Sequence, residues 1–449
     1  MSSTGASWAA QPFPDRPAAR EHSISAMDVV VFVLSVVIIL IYSQAWMQPL
    51  FGDKADEGAS ALMRDMYFPA YGAAIVVACS SLKDTFKATI RQPFLILILM
   101  ICAASILWSV APDETERRIV AICFTTLGGI ALGARYRWSQ MTEVMATGFA
   151  ILAVLSLLAG ALVPSIGRMA TIFPGAWRGL WAEKNALGGD MTIACVVFIA
   201  AAFMAPQRRI LWGLFAVLAV GLVLLSRSKT SLVSLMLGLS AIGFVWMARR
   251  GPIVGVISSF GAVVTIFAGL SFMFFAADVA FALLGKDATL TGRTNIWQGV
   301  LYVIHQRPLL GYGYGAVWND KSGWGPVYWI TKIAGFRAAH AHNSWLEQWL
   351  DLGIPGLVAW SLYFIQTLIL AIVAVYRDKG AYLALPFVLV FGLVTITESI
   401  AVVYNDFRWV MFVAVAVKLA YSDRAMGRGQ ARVQTPQPPR PPGAYARAA

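Results

Sequence analysis

The sequence predicts an all-α, polytopic membrane protein of about twelve transmembrane helices with one long loop on its outer face. Three observations lead there. Of 449 residues, 59% are hydrophobic and only 13% are charged. Apolar stretches close to the ~20 residues of a bilayer crossing recur along nearly the whole chain. The short connections between them alternate in charge, one set basic and the other acidic, and by the positive-inside rule such alternation fixes an orientation.

The apolar cores lie near 28–45, 67–82, 93–110, 119–134, 144–163, 186–205, 210–225, 230–248, 253–282, 357–376, 384–403 and 408–422. The stretch 253–282 exceeds one span and is expected to tilt or to emerge on the outer face. Basic connections hold Lys83, Lys87 and Arg91; Arg135 and Arg137; Arg208 and Arg209; Arg249 and Arg250; Arg377 and Lys379. Acidic ones hold Asp53, Asp56, Glu57 and Asp65, then Asp113, Glu114 and Glu116. The basic set, and with it both termini, is therefore placed in the cytoplasm. The net charge of +12 orients the chain and does not indicate nucleic acid. Residues 1–26 form a polar cytoplasmic tail, 27–422 the membrane domain, and 423–449, rich in Arg, Pro and Gln, a disordered cytoplasmic tail. The first apolar stretch lacks a small-residue cleavage site after it and is expected to stay as an anchor. Cys79, Cys102, Cys123 and Cys195 fall inside spans, as small buried residues rather than a disulfide framework. No internal repeat is visible, which disfavours transporter folds built from two similar halves.

Residues 283–343 lack a spanning stretch and form the long outer loop. Gly311, Gly313 and Gly315 interleave with Tyr312 and Tyr314, and Trp318, Trp324, Tyr328 and Trp329 follow. These aromatics serve either as a platform for sugar faces or as an interfacial belt. The loop ends in His340-Ala341-His342-Asn343-Ser344, which holds two of only four histidines. Histidine alone titrates, unperturbed, near neutral pH. The pair reads as acid–base machinery at the bilayer surface or as two solvated side chains. Asn343 is positioned to cap a short amphipathic helix that Gly353 and Pro355 stop before the tenth span. The cap would hold His342 at a helix N-terminus, where a neutral imidazole or an anion is favoured.

Cations on the outer face are the second signal: Arg178 and Lys184 in the fifth loop, Arg227 and Lys229 in the turn 226–230, and Arg293 at the opening of the long loop. Kept there against the positive-inside tendency, they either bind an anion such as phosphate, which suits the planar guanidinium fork, or snorkel to headgroups. Asp190 and Glu398 lie inside the sixth and eleventh spans toward the outer leaflet and are expected to pair with these cations. His22 and His305 are remote, so no metal-ligand set, P-loop or serine nucleophile motif is evident and no cofactor is expected.

These segments resemble the O-antigen ligase and polymerase superfamily. His342-Asn343, nine residues, Gly353, Ile354-Pro355 and Gly356 match its ligase signature. Trp177-Arg178-Gly179-Leu180 through Lys184-Asn185-Ala186-Leu187-Gly188, Ser226-Arg227, Gly292-Arg293 with Trp297, and Pro308-Leu309-Leu310-Gly311-Tyr312-Gly313 are similar to further family elements, in order from about 170 to 375. The resemblance implies a GT-C-like glycosyltransferase in the bacterial inner membrane with a periplasmic active site. Its donor would be an undecaprenyl-diphosphate-linked glycan and its acceptor a glycan or lipid A core. Transfer would invert the anomeric centre without a metal. Arg227 and Arg293 would neutralise the diphosphate and His342 would take the acceptor proton. Lys184, Arg178, His340, Asn343 and Glu398 would support substrate, with His340 the rival of His342. Flippase and polysaccharide export proteins are candidate partners. The His-Ala-His-Asn combination looks most like exopolysaccharide polymerases of the succinoglycan type, so a repeat-unit polymerase is favoured over a ligase. A lipid-linked oligosaccharide flippase, which would also bind a diphosphate, is the alternative from another class.

Overall fold

The computed structural model describes residues 25–52, 61–171, 173–275, 292–319 and 322–423, with side chains of the ninth apolar helix described through Val264. The terminal tails expected at 1–26 and 423–449, and the first part of the long loop, fall almost wholly outside the described residues. Within them the protein is helical, and the one β-contact is an isolated bridge between Arg168 and Trp177.

Among the described residues each apolar stretch of the sequence lies at least in part on a helix. The principal ones are α1 (Ala26–Tyr42), α2 (Phe68–Cys79), α3 (Leu82–Ile90), α4 (Pro93–Ala104), α5 (Pro112–Arg135), α6 (Trp138–Leu162), α7 (Lys184–Met204), α8 (Arg209–Ser226), α9 (Lys229–Ala248) and α10 (Pro252–Phe275). They continue with α11 (Arg293–Gln306), α12 (Pro326–Ala334), α13 (Ser344–Val375), α14 (Ala381–Thr397) and α15 (Phe407–Ala420). Six of them (α5 to α9 and α13) are long and apolar enough to cross a membrane, or seven units if α3 and α4 count as one span bent by 85°. The bend follows from Pro93, which drives the preceding Gln92 out of the helical region. At ~1.5 Å per residue α10, with 24 residues, is long enough for a ~30 Å core, whereas α1, α2, α14 and α15 fall short, so helix length alone supports fewer crossings than the twelve expected. Large apolar side chains such as Leu211, Leu214 and Val217 on α8 and Ile365, Ile369 and Ile372 on α13 face outward, as an integral membrane protein requires.

Two helices form the centre. α15 buries eleven of its fourteen residues and α7 thirteen of twenty-one. Helices apolar all round belong in the interior. α5 approaches α15 through Gly129 and Gly133, where an added Cβ would stand 2.7 Å from the Val410 carbonyl and 2.6 Å from that of Ala414. Small residues four apart permit this backbone approach, which supplies packing where lipid removes the hydrophobic drive.

The long loop is more regular than its composition suggests. α11 buries Ile296, Gly299, Val300, Val303 and Ile304, the i, i+3, i+4, i+7, i+8 stripe of an amphipathic helix. With Ile330 and Ala334 of α12 and Tyr312, Val317, Ala341 and Leu350, the stripe builds a second apolar core beside that of the bundle.

α13 is two helices joined at Gly353, whose φ of 67° and ψ of −161° break the spiral. The break lies where the sequence reading set the helix stop, and the Pro308–Gly313 segment explains how it is held. The N–H groups of Tyr312 and Gly313 donate to the carbonyls of Leu350 and Asp351 at 3.1 and 2.9 Å, and the Ile354 N–H donates to Pro308 at 3.1 Å. The carbonyls orphaned by the break thus find partners. Gly353→Ala would put a Cβ 2.2 Å from the Leu309 carbonyl oxygen in a left-handed backbone. We expect this substitution to cost about 2–3 kcal/mol or more, read as a lower melting temperature of the detergent-solubilised protein.

Candidate active site

Three chain segments far apart in sequence meet at the N-terminus of α13. Asn343 caps that helix, its side-chain oxygen accepting from the N–H groups of Trp345 and Leu346 at 2.9 and 3.1 Å. The cap fixes the residue before it: His342 sits in the left-handed region with φ 49°. Glu398, expected inside the eleventh span, lies just past the end of α14 in extended backbone. Its Oε2 stands 3.0 Å from His342 Nδ1, and its Oε1 accepts from Arg293 Nη2 at 2.6 Å. Arg293 is the first residue of α11. Side-chain exposures of 15% for Arg293, 25% for Glu398 and 29% for His342 leave the triad sheltered yet reachable.

The electrostatics give each group a role. Burial acts to raise the Glu398 carboxyl, but the His342 hydrogen bond and the Arg293 charge outweigh it and hold the group below its usual range. An ionised carboxylate only accepts, so His342 Nδ1 is the donor in this contact and Nε2 is the ring nitrogen that Glu398 does not engage. The His340 ring centroid is 3.9 Å from that of His342, and its Nδ1 accepts the His342 backbone N–H at 3.2 Å. Burial first, then the nearby His342, Arg408 and Arg293, push His340 down to about 4 against the attraction of Glu398. It is therefore neutral near pH 7. Glu398 and His340 titrate lower in the folded protein than in the unfolded chain, so the unfolded chain binds more protons as acid is added. Stability is present above the unfolded values and is lost as pH falls, for His340 between about 6.5 and about 4. We expect the melting temperature to fall through this window, and the fall to be shallower in His340→Phe.

Trp297 on α11 donates from Nε1 to the Ala341 carbonyl at 3.0 Å, so the Gly-Arg…Trp element supplies both a cation and a brace for the histidine segment. Ser344 ties the other side: its Oγ donates to the Glu398 carbonyl at 2.8 Å and accepts from Ile400 and Ala401 at 2.9 and 3.1 Å.

A second group of cations gathers where α7 and α9 begin. Arg227 ends α8 with φ 52° and is exposed, immediately before Ser228, the N-cap of α9. Lys184, the first residue of α7, donates to the Arg227 carbonyl at 3.4 Å and lies 3.5 Å from the Phe173 ring centroid. Two helix N-termini thus stand beside two cations, an arrangement suited to phosphate. Arg178 differs. Its guanidinium donates to the carbonyls of Ile166 and Ser165 at 2.8 and 3.0 Å and braces its own loop.

Arg408 escaped the sequence reading. It pairs with Asp406 through a 3.0 Å Nε bond and is close enough to interact electrostatically with Asp190, Glu398 and His340. Asp190 is buried on α7, six residues or ~9 Å along the helix from Lys184. The charge of Arg408, itself paired with Asp406, acts on it there. No periodicity marks Arg408, since it reads as one charge opening an apolar helix.

One donor atom each from His340, His342 and Glu398 lie within 4.8 Å of one another, a grouping of a kind that holds metal ions. It was invisible in the sequence because Glu398 is 56 residues from His342. A dication there would share its carboxylate with Arg293 at 2.6 Å and face Arg408 as well. The local positive charge favours proton handling over metal binding.

With this geometry in place, comparison with known proteins shows what the chain is similar to. Residues 214–361 match the O-antigen ligase family model. The chain is also 30% identical over 270 residues to the exopolysaccharide production protein ExoQ of Rhizobium meliloti (strain 1021), covering 57% of this chain and 59% of that protein. Residues 214–361 are therefore similar to the O-antigen ligase family, over about a third of the chain. The chain spans about three fifths of the length of the curated relative it matches. The matched O-antigen ligase segment contains Arg227, Arg293, His340, His342 and Asn343, while Arg178, Lys184, Glu398 and Arg408 lie on either side of it.

Proposed function

We propose that the protein is a glycosyltransferase that moves an undecaprenyl-diphosphate-linked glycan onto an acceptor sugar hydroxyl at the periplasmic face of the bacterial inner membrane. The observation that carries this reading is the Arg293–Glu398–His342 relay. Glu398 holds the His342 ring and its tautomer, and Nε2 takes the proton from the acceptor hydroxyl. The acceptor oxygen bonds to the anomeric carbon as the bond to the donor phosphate breaks. One such displacement inverts the centre, and the electron pair leaves with undecaprenyl diphosphate. The leaving group gains charge as it departs. Arg227, Lys184 and the N–H groups opening α9 would stabilise it without a metal. Arg293, bonded to Glu398, would add a cation on the acceptor side. In this reading the shorter apolar helices complete twelve crossings with their neighbours, both termini are cytoplasmic and the long loop is periplasmic.

The acceptor we favour is another lipid-linked repeat, which makes the protein an exopolysaccharide repeat-unit polymerase. The name of the Rhizobium relative supports this. The family description, O-antigen ligase, favours the second reading, transfer to lipid A core. Purified protein in nanodiscs, given undecaprenyl-diphosphate-linked repeats alone, should produce a ladder of longer lipid-linked glycans. Transfer only after lipid A core is added would make it a ligase. No transfer under either condition, with lipid-linked glycan crossing the bilayer, would make it a flippase.

A further inference from the structure

We infer that Glu347 is a positioning residue for the His342 relay, and that through Trp318 it couples that relay to the aromatic loop; its effect on rate rests on the transferase reading above. Glu347 is buried on the first turn of α13. Its Oε2 accepts from the Ala341 N–H at 2.8 Å and from Ser399 Oγ at 2.8 Å, and its Oε1 accepts from Trp318 Nε1. Ala341 lies between the two histidines, and Ser399 follows Glu398. One carboxylate therefore holds both members of the His342–Glu398 pair.

The need for a clamp is visible in the backbone. His342 keeps a left-handed conformation that an ordinary residue adopts at a cost of about 1–3 kcal/mol. Its neighbour Ala341 is fixed at both ends, the N–H by Glu347 and the carbonyl by Trp297. On the Glu398 side, Ser344 and Gln348 of the same helix hold residues 398–401, Gln348 by donating to the Ala401 carbonyl at 3.1 Å. Trp318 belongs to the Gly- and Trp-rich part of the long loop. A shift of that loop, such as a bound glycan would cause, reaches the histidine segment through the Glu347 carboxylate.

An amide cannot replace this carboxylate. The N–H groups of Ala341 and Trp318 approach opposite oxygens, and glutamine must turn its own NH2 toward one of them. Glu347→Gln therefore leaves two donors facing each other while preserving shape. If glutamine keeps its oxygen toward Ala341 and Ser399, the conflict falls on Trp318, and Trp318→Phe removes it.

The test uses the full chain in nanodiscs with an undecaprenyl-diphosphate-linked oligosaccharide as donor. In Glu347→Gln we expect kcat to fall about 10- to 100-fold with KM within about threefold, because misplacement of a catalytic group acts on the chemical step. The acid limb of the pH–rate profile should move, which a general loss of folded protein would not do. Amide exchange of the 338–343 segment should quicken about tenfold. Trp318→Phe in the Glu347→Gln background should recover at least about fivefold of the rate, a non-additivity expected only of groups in contact. Wild-type kcat and unchanged exchange in Glu347→Gln would overturn the inference, as would a double variant whose losses simply multiply. Should the wild type transfer no sugar, the transferase reading fails, and the exchange of the 338–343 segment alone then decides for or against the clamp.

Discussion

Replacing His342 with alanine is expected to lower kcat for glycosyl transfer by about 10²- to 10⁴-fold, the range for a positioned general base. The reasoning is geometric. Glu398 occupies the Nδ1 side at 3.0 Å, and Nε2 is left without a carboxylate partner, as a base that must meet an incoming hydroxyl requires. Donor binding should survive, since the phosphate-facing cations belong to other segments. A binding measurement with undecaprenyl-diphosphate glycan therefore separates loss of chemistry from loss of substrate. His340→Ala should act less, because His340 supports the His342 backbone N–H and is held neutral among the arginines. Equal losses in the two variants would move the base assignment away from His342.

Arg227→Ala should cost about 10²- to 10³-fold in kcat/KM, or about 3–4 kcal/mol of transition-state stabilisation, the scale for removing one preorganised donor from developing charge. Among the described residues no acid lies within ion-pair distance of Arg227, so its charge is not spent on a structural partner. Its left-handed backbone turns it at the junction of two helices, beside the opening of α9. Arg227→Lys keeps the charge and loses the fork, and should restore part of the activity. Arg178→Ala is the contrast. Its guanidinium is engaged with the carbonyls of Ile166 and Ser165, so the expected loss is in stability before rate. Rates from steady-state transfer and melting temperatures of the same preparations distinguish the two arginines.

These contrasts show what local sequence carries. Apolar length and the Asn343 cap are short-range properties, and both were readable. So was Gly353, since a chain that must turn there has few other residues to use. The stripe Ile296, Val300, Val303 and Ile304 was equally local and was passed over because the loop's glycines and aromatics drew the reading toward irregular structure. What joins the site is not local. Glu398 meets Arg293 across 105 residues and His342 across 56, and nothing periodic records such a pairing. Glu347 lay among the nine unspecified residues of a recognisable motif, where its amphipathic position accounted for it without a role. Arg178 and Arg227 looked alike as outward cations. Only their surroundings, carbonyl oxygens for one and open space for the other, tell them apart.

The enclosure of α15 also bears on how the molecule is made. Among the described helices the ribosome delivers this one after the rest, yet it occupies the middle of the bundle, against the glycine face of α5. Until it arrives the earlier helices surround an unfilled seat, and the segment bearing Glu398 has no floor beneath it. The Arg293–Glu398–His342 contacts are therefore expected to settle only once α15 is in place. A chain cut before residue 407 is therefore expected to close loosely and to be more open to proteolysis than one that contains α15.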